Sequence, residues 1–393
     1  MLIRDIMMGW DDLCIIPSKE TSILHRKDCN VYKEDGMLPI FVSPMSSIIS
    51  DTNYTKFLEN KLNVIIPRNI DIEKRLKLMY DVFIAVGLDE FEKLFVNAET
   101  AINIEDRKFY ICLDIANGHM TYMHNLVLEA KKKYRSNLVI MVGNIAEPKL
   151  YEEFAKIGVN YIRFGIGGGS ICTTSVVSGC HRTMVDLLLG VKEYKDIVRD
   201  RYNEINNVVN EESEDSVEYV IDGMRIRLPS NVFENIAKPE KDKLIGDQTI
   251  PDSLYTIPKI IADGGINSYA RINKALALGA DYVMMGGMFA KCEESCGDII
   301  DNIDGRFHVY YGMSTRRAQL ECRIPVEKLR PEEGISKIVK IEYTLKKLVS
   351  EIKFYLQEAM SLTNISDISR FNETNVTLKT ISNAGFREFN SNK

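Results

Sequence analysis

Eight short apolar runs recur along the 393-residue chain, and each ends in small or polar residues. They are LPIFVSP (38–44), NVIIP (63–67), YDVFIAVG (80–87), FYICLDI (109–115), LVIMVGN (138–144), NYIRFGI (160–166), IPKIIADGG (257–265) and DYVMMGG (281–287). Most are apolar at successive positions, which predicts strands covered on both faces. Helical patterns lie between them. YTKFLENKL precedes the second run, MTYMHNLVLEAKKKY follows the fourth, PKLYEEFAKIG the fifth and YARINKALALGA the seventh. Strands alternating with helices in this way predict an α/β fold, a parallel (β/α)8 TIM barrel. The alternative is a doubly wound sheet. It would want a GxGxxG loop after its first strand, and none is there; GIGGGS follows the sixth run.

Two segments fall outside the alternation. Residues 190–256 are too long for one crossover and read as an insertion: a helix extension, an acidic loop at NEESED (210–215) and a small hairpin at YVIDGMRIRLP. After the eighth run comes an excursion, 288–334, with another apparent hairpin at GRFHVYYGM. ISKIVKIEYTLKKLVSEIKFYLQEAM then predicts one amphipathic helix, with Leu345, Leu348, Ile352, Tyr355 and Ala359 on one face. We expect a single barrel domain over 1–361 and a loose Asn/Ser/Thr-rich tail over 362–393.

Charge narrows the partners. The net charge is −6, which argues against a general nucleic-acid binder but not against a nucleotide held by backbone amides. No apolar run approaches the roughly 18 residues of a membrane span, and MLIRDIMMGWDDL lacks the apolar centre of a signal peptide. The eight cysteines form no CxxC pair and the five histidines no HxxxH, so zinc is not expected. A cytoplasmic protein with reduced thiols is the plain expectation.

In a barrel the chemistry sits at the C-terminal ends of the strands. There the sequence puts Ser43-Pro44-Met45, Arg68, Asp114 with Asn117, Gly143-Asn144, the stretch FGIGGGSICTT (164–174), Asp263-Gly264-Gly265 and Gly286-Gly287. Glycines at three consecutive strand ends suit close approach of backbone to a phosphate. Cys172, set after three glycines and Ser170, is the candidate nucleophile.

FGIGGGSICTT resembles the cysteine loop of the IMP dehydrogenase/GMP reductase family, VGIGPGSxCTT. WDDLCIIPSK, VSPMSS, LDIANGH, MVGNIAE, IADGGI with ALALGADYVMMGG, and YYGMS are similar to further family segments in the same order. The resemblance implies a purine nucleotide oxidoreductase acting at C2 of the base through a covalent Cys172 adduct. It implies that Ser170, Gly264, Gly265, Gly286 and Gly287 hold the 5′-phosphate, and that Asp263 accepts the ribose hydroxyls. Tyr311, Gly312, Met313 and Ser314 would also line the nucleotide, and Asp114, Asn117 and Gly118 the cofactor, NADPH or NAD. It further implies a homotetramer and a K+ ion on the carbonyls of Gly167, Gly169 and Cys172.

Two activities stay open. A dehydrogenase of this family uses an Arg-Tyr pair on a flap, and STRRAQLECRIPVEKL (314–329) has none. A reductase uses a threonine and a glutamate, for which Thr174 and Glu294 are the expected residues. LDIANGH and YYGMS are nearer the reductase forms, so NADPH-dependent conversion of GMP to IMP and ammonia is favoured over IMP dehydrogenation. A non-catalytic nucleotide-binding homologue is the third reading. Gly168, Ser175, SGCHRTM and Ala290-Lys291 depart from the family pattern around the base and cofactor pockets, which leaves room for a deoxy or modified purine nucleotide.

Overall fold

The computed structural model describes residues 7–97, 107–214, 216–221, 224–229, 243–245, 248–250, 254–372 and 374–381. Each of the eight apolar runs holds a strand: β1 (Ile40–Val42), β2 (Ile65–Ile66), β3 (Phe83–Val86), β4 (Phe109–Asp114), β5 (Leu138–Ile145), β6 (Tyr161–Phe164), β7 (Lys259–Asp263) and β8 (Tyr282–Met285). They pair in the order β1-β8-β7-β6-β5-β4-β3-β2, every pair parallel. Asn63 closes the remaining seam. Its N–H donates to Ile40 O at 3.0 Å, and its carbonyl accepts from Val42 N at 2.9 Å. The result is a (β/α)8 barrel. Helices Tyr54–Glu59, Thr121–Tyr134, Leu150–Lys156 and Tyr269–Ala277 lie where the amphipathic stretches predict them.

Side chains alternate across each strand, so odd and even positions face different cores. Ile40, Val42, Ile84, Val86, Ile111, Leu113 and Ile140 pack outward under the helices. Phe41, Ile65, Phe83, Cys112, Met141, Ile261, Tyr282 and Met284 point inward and fill the barrel. At the N-terminal end this filling is aromatic, with Phe41, Phe83, Tyr161 and Tyr282 in edge-to-face or tilted contact at 5.2–6.1 Å between centroids. Such pairs contribute about 0.5–1.5 kcal/mol each beyond burial. One step further along β4, β6 and β7 the same inward alternation brings Asp114, Arg163 and Asp263 to the C-terminal mouth. A sealed floor and a polar mouth thus follow from one period-two pattern.

The excursion after β8 differs from expectation. Ile299–Asn302, Gly305–Tyr311 and Ser336–Lys340 form a three-stranded antiparallel sheet. The expected long helix therefore begins only at Leu345, capped by Thr344, whose hydroxyl accepts from Lys347 N. The β-branched pair Ile338-Val339 favours the strand that replaces its first third. Helix Leu345–Leu362 buries Leu345, Leu348, Val349, Ile352, Leu356 and Met360, while Tyr355 stays exposed. Over its described residues, 362–372 and 374–381, the tail is not loose. Ile365, Ile368, Phe371 and Val376 are buried, and Thr377–Thr380 pairs with Leu13–Ile16. A few apolar anchors in a polar tract are enough for this, and composition hides them.

In the 190–256 region one helix runs from Met184 to Glu214, and Ser216–Ile221 pairs antiparallel with Met224–Pro229. The backbone of the expected acidic loop is thus helical through Glu214; its side chains lie outside the described residues. A second antiparallel pair, Lys243–Ile245 with Gln248–Ile250, has no signal we read in the sequence. No helix among the described residues is long and apolar enough to cross a membrane.

Candidate active site

The cysteine loop leaves β6 at Gly165, whose φ is +129° and whose missing Cβ would collide with the carbonyl of Asp263. Only glycine allows both. Cys172 follows at the loop's end, partly exposed, its N–H bonded to Gly169 O at 3.1 Å. A segment from the excursion runs antiparallel beside it. Thr173 N donates to Glu333 O at 3.1 Å, Ile335 N donates to Ile171 O at 3.0 Å, and Cys172 bridges Gly334. This pairing delivers a carboxylate. Cys172 Sγ lies 3.3 Å from Thr174 Oγ1, which lies 2.9 Å from Glu333 Oε2. Thiol, hydroxyl and carboxylate form a chain along which a proton can pass.

Next to the thiol is a cradle of small groups. Gly264 and Gly265 have φ of +104° and +74°, and Gly264 packs against Gly168. A Cβ on Gly287 would lie 3.7 Å from Ser170 Oγ; one on Gly286 would lie 2.8 Å from Tyr310 Oη. Burial pushes the Tyr310 hydroxyl up from its ordinary pKa, so it stays a donor at neutral pH. Tyr311, the expected tyrosine, turns away. Its hydroxyl donates to Glu321 at 2.8 Å. Gly312, Met313 and Ser314 continue as a turn: Gly312 O accepts from Thr315 N, Met313 Sδ from Ser46 N, and Ser314 O from Gln319 Nε2.

Across the mouth, Arg163 joins two carboxylates. Its Nη1 donates to Asp114 Oδ1 at 2.6 Å, and its Nε and Nη2 donate to Asp263 Oδ2 at 3.1 and 2.9 Å. Asn144 Nδ2 donates to the same Asp263 oxygen at 2.7 Å. Burial works against the guanidinium charge, but attraction by Asp263 and then Asp114 outweighs it and holds its pKa well above the usual arginine value. Burial also pushes the neighbouring Cys112 thiol up to about 12, so it is no thiolate.

Residues 70–198 and 252–392 match the family model for the IMP dehydrogenase / GMP reductase domain. The chain belongs to this family. It is 22% identical over 366 residues to the GMP reductase of Vibrio atlanticus (strain LGP32), covering 89% of this chain and 88% of that one. It is 26% identical to GMP reductase 2 of Bos taurus over 272 residues, 68% and 60% of the two chains. With the inosine-5′-monophosphate dehydrogenase of Chlorobaculum parvum (strain DSM 263 / NCIMB 8327) it shares 28% over 289 residues, 71% of this chain and 46% of that one. The family is one of oxidoreductases of purine nucleotides.

On the other side of Asp114, the candidate residues for holding a cofactor are Asn117, Gly118 and Arg68. Asn117 Oδ1 accepts from His119 N at 3.1 Å, and a Cβ on Gly118 would lie 2.8 Å from Ile145 Cγ1. Arg68, at the end of β2, donates to Asp114 O at 3.4 Å and keeps its Nε buried with no hydrogen-bond partner among the described residues. A guanidinium with spare donors suits an anionic cofactor. The loop carbonyls of Gly167 and Gly169 each accept one bond already, from Ser175 Oγ at 3.0 Å and Cys172 N at 3.1 Å.

The expected glutamate lies elsewhere. Glu294 Oε2 accepts from Leu345 N at 2.7 Å, at the start of the helix Leu345–Leu362. The position against Thr174 belongs to Glu333, which the sequence reading passed over. Glu294→Ala should cost about 1 kcal/mol by exposing that helix end and leave the chemical steps unchanged. Thermal denaturation and steady-state rates on one preparation check both halves. Tyr310, Arg163 and Glu333 are the functional candidates missed. Arg163 had a signal, since a basic residue in an apolar strand two positions after an inward Tyr161 also points inward.

Proposed function

We propose that this family member is an NADPH-dependent GMP reductase, converting GMP to IMP and ammonia. The observation that carries the reading is the Cys172–Thr174–Glu333 chain beside a glycine-lined phosphate cradle. Main-chain amides at Gly264–Gly265 and Gly286–Gly287, with Ser170 and Tyr310 hydroxyls, hold the 5′-phosphate. Asp263 takes the ribose hydroxyls. Cys172 Sγ then adds to C2 of the base.

The thiol proton passes through Thr174 Oγ1 to Glu333, and from there to the 2-amino group, which leaves as ammonia. The products of this half are a thioether-linked purine and NH3, so atoms balance. NADPH, when bound, would supply a hydride to C2 and be left as NADP+; with one proton taken up, the adduct would then break at the C–S bond to give IMP and free thiol. Asp114, Asn117, Gly118 and Arg68 are the residues that would hold the cofactor. A glutamate in reach of a threonine is what loss of an amine needs, and the flap offers no Arg-Tyr pair to activate water for the opposite reaction. The homotetramer and the K+ ion belong to the same proposal, with the carbonyls of Gly167, Gly169 and Cys172 as ion ligands.

The test is absorbance at the nicotinamide band with purified protein. NADPH loss that requires GMP, with ammonia formed mole for mole, is the expected result. NADH gain with IMP makes the chain a dehydrogenase instead. Silence in both, with GMP still bound, makes it a binding homologue, and turnover confined to a deoxy or modified guanine nucleotide moves the substrate.

A further inference from the structure

We propose that Arg163 is the positioning residue that orients Asp263 for the ribose diol and thereby sets the preference for a ribonucleotide over its deoxy forms. The inference rests on the nucleotide-binding reading above. Asp263 Oδ2 already accepts three hydrogen bonds, from Arg163 Nε, Arg163 Nη2 and Asn144 Nδ2. Its Oδ1 takes none from the described residues, and the side chain is 13% exposed at the mouth. A carboxylate crowded on one oxygen cannot swing about its terminal bond. It offers the other oxygen, with two lone pairs, in one fixed direction.

The clamp is itself fixed. The guanidinium is planar, its side chain 6% exposed, and its third arm is tied to Asp114 Oδ1 at 2.6 Å. Gly143 on β5 makes the room. A Cβ there would sit 2.5 Å from Arg163 Cβ, so the arginine can enter the barrel only beside a glycine. A lysine would give one point charge and could not span both carboxylates in this fork. A nucleotide without ribose hydroxyls leaves Oδ1 unpaired as the site closes over it, which is the penalty that makes the preference.

The experiment measures dissociation constants of GMP and 2′,3′-dideoxy-GMP by calorimetry for the wild type, Arg163→Met, Arg163→Lys and Asp263→Asn. The wild type should prefer GMP by about 30-fold or more, as two charge-assisted hydrogen bonds would give. Arg163→Met should cut that preference below about threefold, as Asp263→Asn should, while dideoxy-GMP binding moves by less than about threefold. Equal weakening of both nucleotides would mean that Arg163 only holds the fold, and an unchanged preference that it does nothing here; either overturns the proposal. Should Arg163→Met fail to fold, Arg163→Lys decides: a preference reduced at least threefold supports the clamp, and a wild-type preference sinks it. If the wild type binds neither nucleotide, the nucleotide reading itself fails, a different outcome from a preference that survives in the variants.

Discussion

Cys172→Ala should lose turnover by about 10⁴-fold or more, because removing an essential nucleophile leaves only the contributions of binding and electrostatics. The same variant should bind GMP within about tenfold of the wild type, a difference of about 1.4 kcal/mol. The reason is a separation of tasks in the fold. Phosphate and ribose candidates sit on the ends of β7 and β8 and at Ser170 and Tyr310, whereas among the described residues the thiol makes a hydrogen bond only with Thr174. Alanine leaves the Thr174–Glu333 bond and the Gly334 pairing in place. Steady-state rates, with nucleotide binding followed by calorimetry, measure the two quantities independently. Turnover above about one per cent of wild type would place the covalent step on another residue; lost binding with lost turnover would make Cys172 a structural residue.

The barrel was legible because a strand buried on both faces needs a continuous apolar run, and eight such runs lie in order along the chain. The glycines proposed as the phosphate cradle were legible for a related reason: a glycine at a strand end, such as Gly265 or Gly287, marks a place kept clear of side chains. What sequence could not supply was pairing across long separations. Glu333 lies 159 residues after Thr174, in RPEEG, where its neighbour Glu332 looks the same. Only the antiparallel run of Gly334 and Ile335 along the cysteine loop singles it out. Glu332 instead accepts from Arg316 N at 2.6 Å on the exposed side. Glu294, early in the excursion after β8 and beside another glutamate, had the better sequence pattern, but it lies at the start of the helix Leu345–Leu362. Tyr310 and Tyr311 differ in the same way, since adjacent residues of one strand face opposite sides and sequence does not say which side holds the site.

That contrast between two glutamates gives the second large effect. Glu333→Gln keeps the size of the side chain and an oxygen that can accept from Thr174 Oγ1, but removes the group that stores a proton. Loss of a positioned acid-base group typically costs 10²–10⁴-fold, so release of ammonia should slow by about 10²–10³-fold. The loss should fall on the ammonia step. When enzyme and GMP are mixed without cofactor, one equivalent of ammonia should form as the thiol displaces the 2-amino group, and rapid quench can time it. In Glu333→Gln this burst should be slowed by the full factor, with GMP affinity unchanged within about threefold. Glu332→Gln and Glu294→Gln are the controls: each keeps a carboxylate-sized side chain away from Thr174, and each should leave the burst at the wild-type rate. A normal burst in Glu333→Gln would remove the carboxylate from proton transfer. A slowed burst in Glu294→Gln would restore the glutamate that the sequence pattern favours, acting through a geometry other than the one in which it caps Leu345.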